Sequence, residues 1–134
     1  MKHLKKFLAV AVVVLSILIG SYGFSKIQKV DFQTWQGKAS YYHPKFNGRK
    51  TANGEIFSND KLTAANNFLA LGTLVKVVNI KNGKSVVVKI NDRMHAANKR
   101  LIDLTHAAAS KLGLIEQGIG EVTIELLSSS TAKN

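Results

Sequence analysis

Residues 73–92, TLVKVVNIKNGKSVVVKIND, constrain the fold of this chain more than any other stretch. Two β-branched runs flank Asn82-Gly83, the dipeptide that best tolerates positive φ at both centres of a type I′ turn, so the segment predicts a β-hairpin. In the second run Val86, Val88 and Ile90 alternate with Val87 and Lys89. Valine on both sides predicts a strand covered on both faces, as in a barrel or sandwich interior. Residues 37–42 (GKASYY) and 121–127 (EVTIELL) read as further strands, the latter with Val122, Ile124 and Leu126 on one side. Between hairpin and last strand, Thr105 can cap a helix, Leu104, Ala108 and Leu112 form its i, i+4 stripe, and Gly113 can end it. A mostly-β domain with one or two short helices follows.

The N-terminus has a different character. MKHLKK precedes FLAVAVVVLSILI, a basic segment and an apolar run of signal-peptide length, shorter than the ~20 residues of a membrane span. Small residues flank cuts after Gly23 and after Ser25, so residues 1–23 are expected to be a secretory signal, 24–36 a lead-in and 128–134 a polar tail. The remainder is then extracytoplasmic, in the periplasm or secreted to the cell envelope, and an uncleaved leader is its only expected membrane contact. Removal of the signal takes three of the 19 Lys and Arg and none of the eight Asp and Glu, so the basic excess belongs to the mature domain. The cations are dispersed, with no like-charge block and no basic run around aromatic residues, which argues against nucleic acid and for anionic envelope polymers. The absence of Cys excludes thiolate metal sites, thiol catalysis, disulfides and lipidation on cysteine.

Four blocks stand in order: GKASYYHPKFNGRKTANGEIF, LTAANNFLALGTLVKVVNIKNGKSVVVKINDR, RLIDLTHAAASKLG and GEVTIELL. Together they resemble the rare lipoprotein A (RlpA) family, and more distantly the expansins, over residues 37–127. The resemblance implies a six-stranded double-psi β-barrel that cleaves peptidoglycan glycan strands as a lytic transglycosylase. The expected partner is the glycan strand, met by a monomer without cofactor or metal. Two positions depart from the family pattern: Asn66 stands where many relatives have His, and Met94-His95 where many have Gly-Pro.

The implied reaction is non-hydrolytic. One acid protonates the oxygen linking N-acetylmuramic acid to N-acetylglucosamine, then as a base it helps the muramic C6 hydroxyl attack C1, which leaves a 1,6-anhydro end. A single carboxyl can do both jobs, whereas ordinary glycosidases use two. Asp92 follows a strand directly and matches the family's proposed catalytic Asp; an Asx turn is its plain structural alternative. Asp103 lies between Ile102 and Leu104 and matches the essential Asp of expansins. That apolar setting favours a protonated acid provided neither Arg93 nor Arg100 pairs with it. Glu55, in TANGE, corresponds to another polar residue of the family site. Tyr41 and Tyr42 are candidate sugar platforms, of which strand alternation leaves at most one. Asn66 can orient a sugar hydroxyl or satisfy a turn, Arg93 adjoins Asp92, and His95 is a candidate replacement base. His43 and His106 lack further ligands at metal-like spacing. The rival reading is an expansin-like module that binds or loosens the wall without breaking bonds.

Overall fold

The computed structural model describes residues 32–128. The signal, its two candidate cuts, most of the lead-in and residues 129–134 of the tail lie outside the described residues. Strands β1 (Thr34–Tyr41), β2 (Thr63–Ala65), β3 (Leu74–Asn79), β4 (Ser85–Asp92), β5 (Ile102–Leu104) and β6 (Gly120–Ser128) are joined by one helix, α1 (His106–Lys111), and a 3-10 turn at Pro44–Phe46. They close into a barrel in the order β1-β5-β2-β4-β3-β6. Two neighbouring pairs are parallel, β1 with β5 and β2 with β4, and the other four are antiparallel.

β1 begins three residues earlier than the sequence suggests. Thr34, Trp35 and Gln36, expected in the lead-in, pair with Glu125, Ile124 and Thr123 of β6, and Trp35 packs against the core. Likewise Ser128, expected in the tail, pairs with Leu74. Both extensions arise because β6 must bond two neighbours at once to close the barrel.

The hairpin is present, but its turn is not type I′. Asn79 and Lys84 close a four-residue connection, 80–83, in which Gly83 has φ 74° and no non-glycine residue has positive φ. The Gly83 amide donates to the Asn79 carbonyl at 2.8 Å. The cause is tertiary: Asn79 and Asn82 each donate a side-chain amide to the Leu112 carbonyl, at 2.9 and 3.0 Å, which ties the hairpin to the end of α1. That carbonyl is one of the acceptors a helix C-terminus leaves unpaired, and the longer loop lets both asparagines reach it.

The expectation that β4 is covered on both faces also fails. Val86, Val88 and Ile90 point into the barrel, while Val87 stays 45% exposed. The inward residues join Val75, Val77, Ile102, Leu104, Val122 and Ile124 in the core, each contributing about 1.5–3 kcal/mol of transfer free energy when fully buried. α1 covers one end through Ala108, Ala109 and Leu112, capped as expected by Thr105, whose hydroxyl accepts from the Ala108 amide at 3.3 Å.

Candidate active site

The site begins with an irregularity in β4. Ala64 of β2 pairs with Ile90, but Ala65 pairs with Asp92, so Asn91 is an extra residue on β4. In a regular strand Asp92 would lie two residues after Ile90 and share its inward face. The bulge turns it to the other side, the usual effect of one inserted residue. Across β2, Ala65 also pairs with Asp103 of β5, which in turn pairs with Ser40 of β1. One row therefore runs Ser40, Asp103, Ala65, Asp92, with the two acids two strand spacings apart, about 10 Å between Cα atoms.

Asp92 is held from three directions. Its Oδ1 accepts the amides of Ala52 at 3.0 Å and Arg93 at 2.8 Å, and its Oδ2 accepts the Tyr42 hydroxyl at 2.7 Å. The Ala52 donor is supplied by the TANGE turn, where Thr51 and Glu55 close a backbone bond of 2.8 Å and the Asn53 amide is tied to the Asn91 carbonyl at 3.2 Å. The phenol of Tyr42 is pushed far above its ordinary value, first by burial, then by the hydrogen bond to Asp92 and the charges of Asp92 and Asp103.

Asp103 is not the free, apolar-flanked acid considered from the sequence. Arg100 grips it with two bonds, Nε to Oδ1 at 2.8 Å and Nη2 to Oδ2 at 3.0 Å. The planar guanidinium fork matches a carboxylate, and the pairing raises the Arg100 value further. The proviso that no arginine pair with Asp103 is therefore not met.

Glu55 does not line the cleft. It pairs with Lys89 at 2.5 Å and accepts from Asn53 Nδ2 at 2.5 Å. The Lys89 ammonium, followed by Asn53, holds its carboxyl below the usual carboxylate range, so Glu55 is a poor proton donor and serves the turn that carries Ala52. Asn66 is also structural. It is fully buried, its Oδ1 accepting from the amides of Phe68 and Leu69 at 3.0 and 2.8 Å and its Nδ2 donating to the Leu101 carbonyl at 2.9 Å. Of its two readings the turn is realised, and no surface is left for a sugar hydroxyl. Arg93 crosses the cleft edge, its Nη1 donating to the carbonyls of Asn66 and Leu69, both at 2.6 Å.

Above the carboxylate row lies a cleft of about 520 Å³. Tyr41, Tyr42, Asp92, Arg93, His95 and Asp103 line it together with Arg100, so six of the eight candidate residues meet there, and Asn66 and Glu55 do not. The Tyr41 hydroxyl donates to the Ile115 carbonyl at 3.0 Å, and the Tyr42 ring lies against Phe57 and Phe46 with centroids 4.5 and 5.7 Å apart. His95 uses Nδ1 to accept from the Ala97 amide at 3.1 Å. Sequence reading missed the second wall, formed by His43, Phe46, Arg49, Lys50 and Phe57. Aromatic and basic residues recur through 43–57, but nothing local tells that this loop folds over β4. Among the described residues no three His, Asp or Glu side chains gather as a metal site.

Residues 34–124 match the family model described as lytic transglycolase. The chain belongs to this family. It is 50% identical over 99 residues to the endolytic peptidoglycan transglycosylase RlpA of Haemophilus influenzae, covering 74% of this chain and 34% of that protein. To the enzyme of the same name from Campylobacter jejuni it is 41% identical over 105 residues, covering 76% of this chain and 38% of that protein. The chain thus spans about a third of the length of these curated relatives. Two solved structures share the fold. Streptomyces papain inhibitor superposes with a TM-score of 0.60 at 24% identity, covering 72% of this chain and 96% of its own. A mutant of Clavibacter michiganensis expansin in complex with cellohexaose gives 0.58 at 22%, covering 72% and 51%. The double-psi β-barrel implied by the sequence blocks is the fold observed, and membership of the lytic transglycolase family agrees with the RlpA resemblance.

Proposed function

We propose that this member of the lytic transglycolase family is an endolytic peptidoglycan transglycosylase of the bacterial cell envelope, acting outside the cytoplasmic membrane on glycan strands. The observation that carries the reading is Asp92, turned out of the barrel by a bulge to the floor of an open cleft and held there by three donors. Asp92, protonated, delivers its proton to the glycosidic oxygen as the bond from muramic C1 breaks, and N-acetylglucosamine departs with that proton. The carboxylate then takes the proton of the muramic C6 hydroxyl while that oxygen bonds to C1. The acid is regenerated, an anhydro end forms and no water is consumed. One carboxyl acting in both directions fits a site in which Asp103 is already committed to Arg100. The ion pair supplies fixed charge near the reacting centre, and the basic side chains of Arg49, Lys50 and Arg93 at the cleft favour an anionic polymer.

Digestion of purified sacculi in ¹⁸O-labelled water tests this. Anhydromuramic ends free of label are expected. Reducing ends carrying label would make the protein a hydrolase, and tight binding without new ends would make it a glycan-binding module.

A further inference from the structure

Tyr42 stands among the sequence candidates as a sugar platform, and its surroundings are those of a different part. The ring is half-buried and packs on Phe57 and Phe46, with centroids 4.5 and 5.7 Å away, so aromatic neighbours already occupy it. The hydroxyl donates to Asp92 Oδ2 at 2.7 Å. The other oxygen, Oδ1, accepts from two backbone amides, Ala52 and Arg93, which fill its two lone-pair directions. Oδ2 has two such directions as well, and Tyr42 takes one of them. Burial and the adjoining carboxylates keep the phenol protonated through the range in which proteins stay folded, so it remains a donor throughout.

We propose that Tyr42 is the positioning residue of Asp92: its hydroxyl orients the carboxyl so that one lone pair of Oδ2, facing the cleft, is the only place from which the proton leaves and to which it returns. The inference rests on the transglycosylase reading above and adds to it the atom that moves the proton and the side chain that selects that atom. Both steps of the reaction then pass through one oxygen. The proton on Oδ2 goes to the glycosidic oxygen, the C6 hydroxyl proton returns to Oδ2, and the Tyr42 proton stays on its phenol.

Tyr42→Phe separates this role from stacking, because it keeps the ring and its contacts with Phe46 and Phe57 and removes only the donor. On sacculi, kcat is expected to fall about 10- to 100-fold, the scale of losing orientation at a reacting group, with KM, sacculus retention and melting temperature unchanged. A sugar platform predicts wild-type kcat and KM instead, since Phe stacks as well as Tyr. Wild-type kcat in Tyr42→Phe would overturn the proposal.

A second readout does not depend on activity. With ¹³C-labelled aspartate, the Asp92 carboxyl resonance is expected to move between the wild type and Tyr42→Phe at neutral pH, because a donor to one of its oxygens has been lost. The other charged groups lining the cleft, His43, Arg49, Lys50, Arg93, His95, Arg100 and Asp103, are the same in both proteins. An unmoved resonance overturns the proposal. A moved resonance in a protein that releases no anhydromuramic ends would refute the transglycosylase reading and uphold the Tyr42–Asp92 coupling.

Discussion

The barrel has two unlike walls. Along β3, β6 and the first half of β1, strands of six to nine residues pair antiparallel in long registers, with inward side chains such as Val75, Val77 and Ile124 fully buried. Opposite them, β2 and β5 are three residues long and bond to neighbours in parallel and antiparallel, and β2 meets β4 at its bulge. The regular wall carries burial and no candidate chemistry. The irregular wall carries both acids of the row. The physical reason is orientation: a regular strand places every second residue in the core, so Asp103 faces outward by alternation between Ile102 and Leu104, whereas Asp92 faces outward because the register slips at Asn91. A small residue helps, since Ala65 lets β2 sit between two acid-bearing strands with no bulk in the row.

This contrast can be broken from either side. Asp92→Asn, on the irregular wall, is expected to lower anhydromuramic release about 10²–10⁴-fold, the usual worth of general acid–base catalysis, and to leave the melting temperature nearly unchanged. Ile124→Ala, on the regular wall, is expected to cost about 2–5 kcal/mol of stability in denaturant titration, with full activity per folded molecule below the transition. Loss of activity beyond the unfolded fraction would show that the walls are not separable. Arg100→Leu and Asp103→Asn remove opposite halves of one ion pair. They are expected to give equal losses of about tenfold in release, ~1.4 kcal/mol of barrier, and the double variant no more than either.

A smaller effect concerns Glu55, whose folded value is lowered chiefly by Lys89. Its contribution is present above the ordinary glutamate value near 4.3 and is lost as pH falls through the lower folded value. Both partners are more than a third exposed, so screening limits the pair to about 0–1 kcal/mol. The difference in melting temperature between wild type and Glu55→Gln is therefore expected to be small and constant from neutral pH to about 5, and to close under acid. Asp60→Asn, at an exposed residue away from the cleft, is expected to change neither activity nor stability.

Legibility in the sequence followed the same division. The hairpin strands, β6 and α1 were readable because periodicity needs several residues and they have them. β2 and β5 were not, because three residues, TAA or IDL, contain no period to count. Asn82-Gly83 pointed to a hairpin but not to its turn, since that choice was made by the helix end that Asn79 and Asn82 cap. Asp92 was readable as an acid at a strand end. Its direction was not, because the bulge is a relation between β4 and β2 rather than a property of either. For Asp103, apolar neighbours in sequence suggested a sheltered acid, yet Ile102 and Leu104 face the core while its own side chain meets Arg100 three residues earlier. Asn66 drew notice as a family departure, and only its buried bonds to Phe68, Leu69 and Leu101 reveal a turn.

The central claim is that Asp92 transfers the proton while Asp103 supplies paired charge. Initial rates of anhydromuramic release by Asp92→Asn and Asp103→Asn, measured side by side on the same sacculi with bound protein quantified in each reaction, test it most directly. Asp92→Asn is expected to fall to background while bound as well as the wild type, and Asp103→Asn to keep about a tenth of the wild-type rate. Background release by Asp103→Asn with appreciable release by Asp92→Asn would contradict it and move the proton to the other carboxyl of the row.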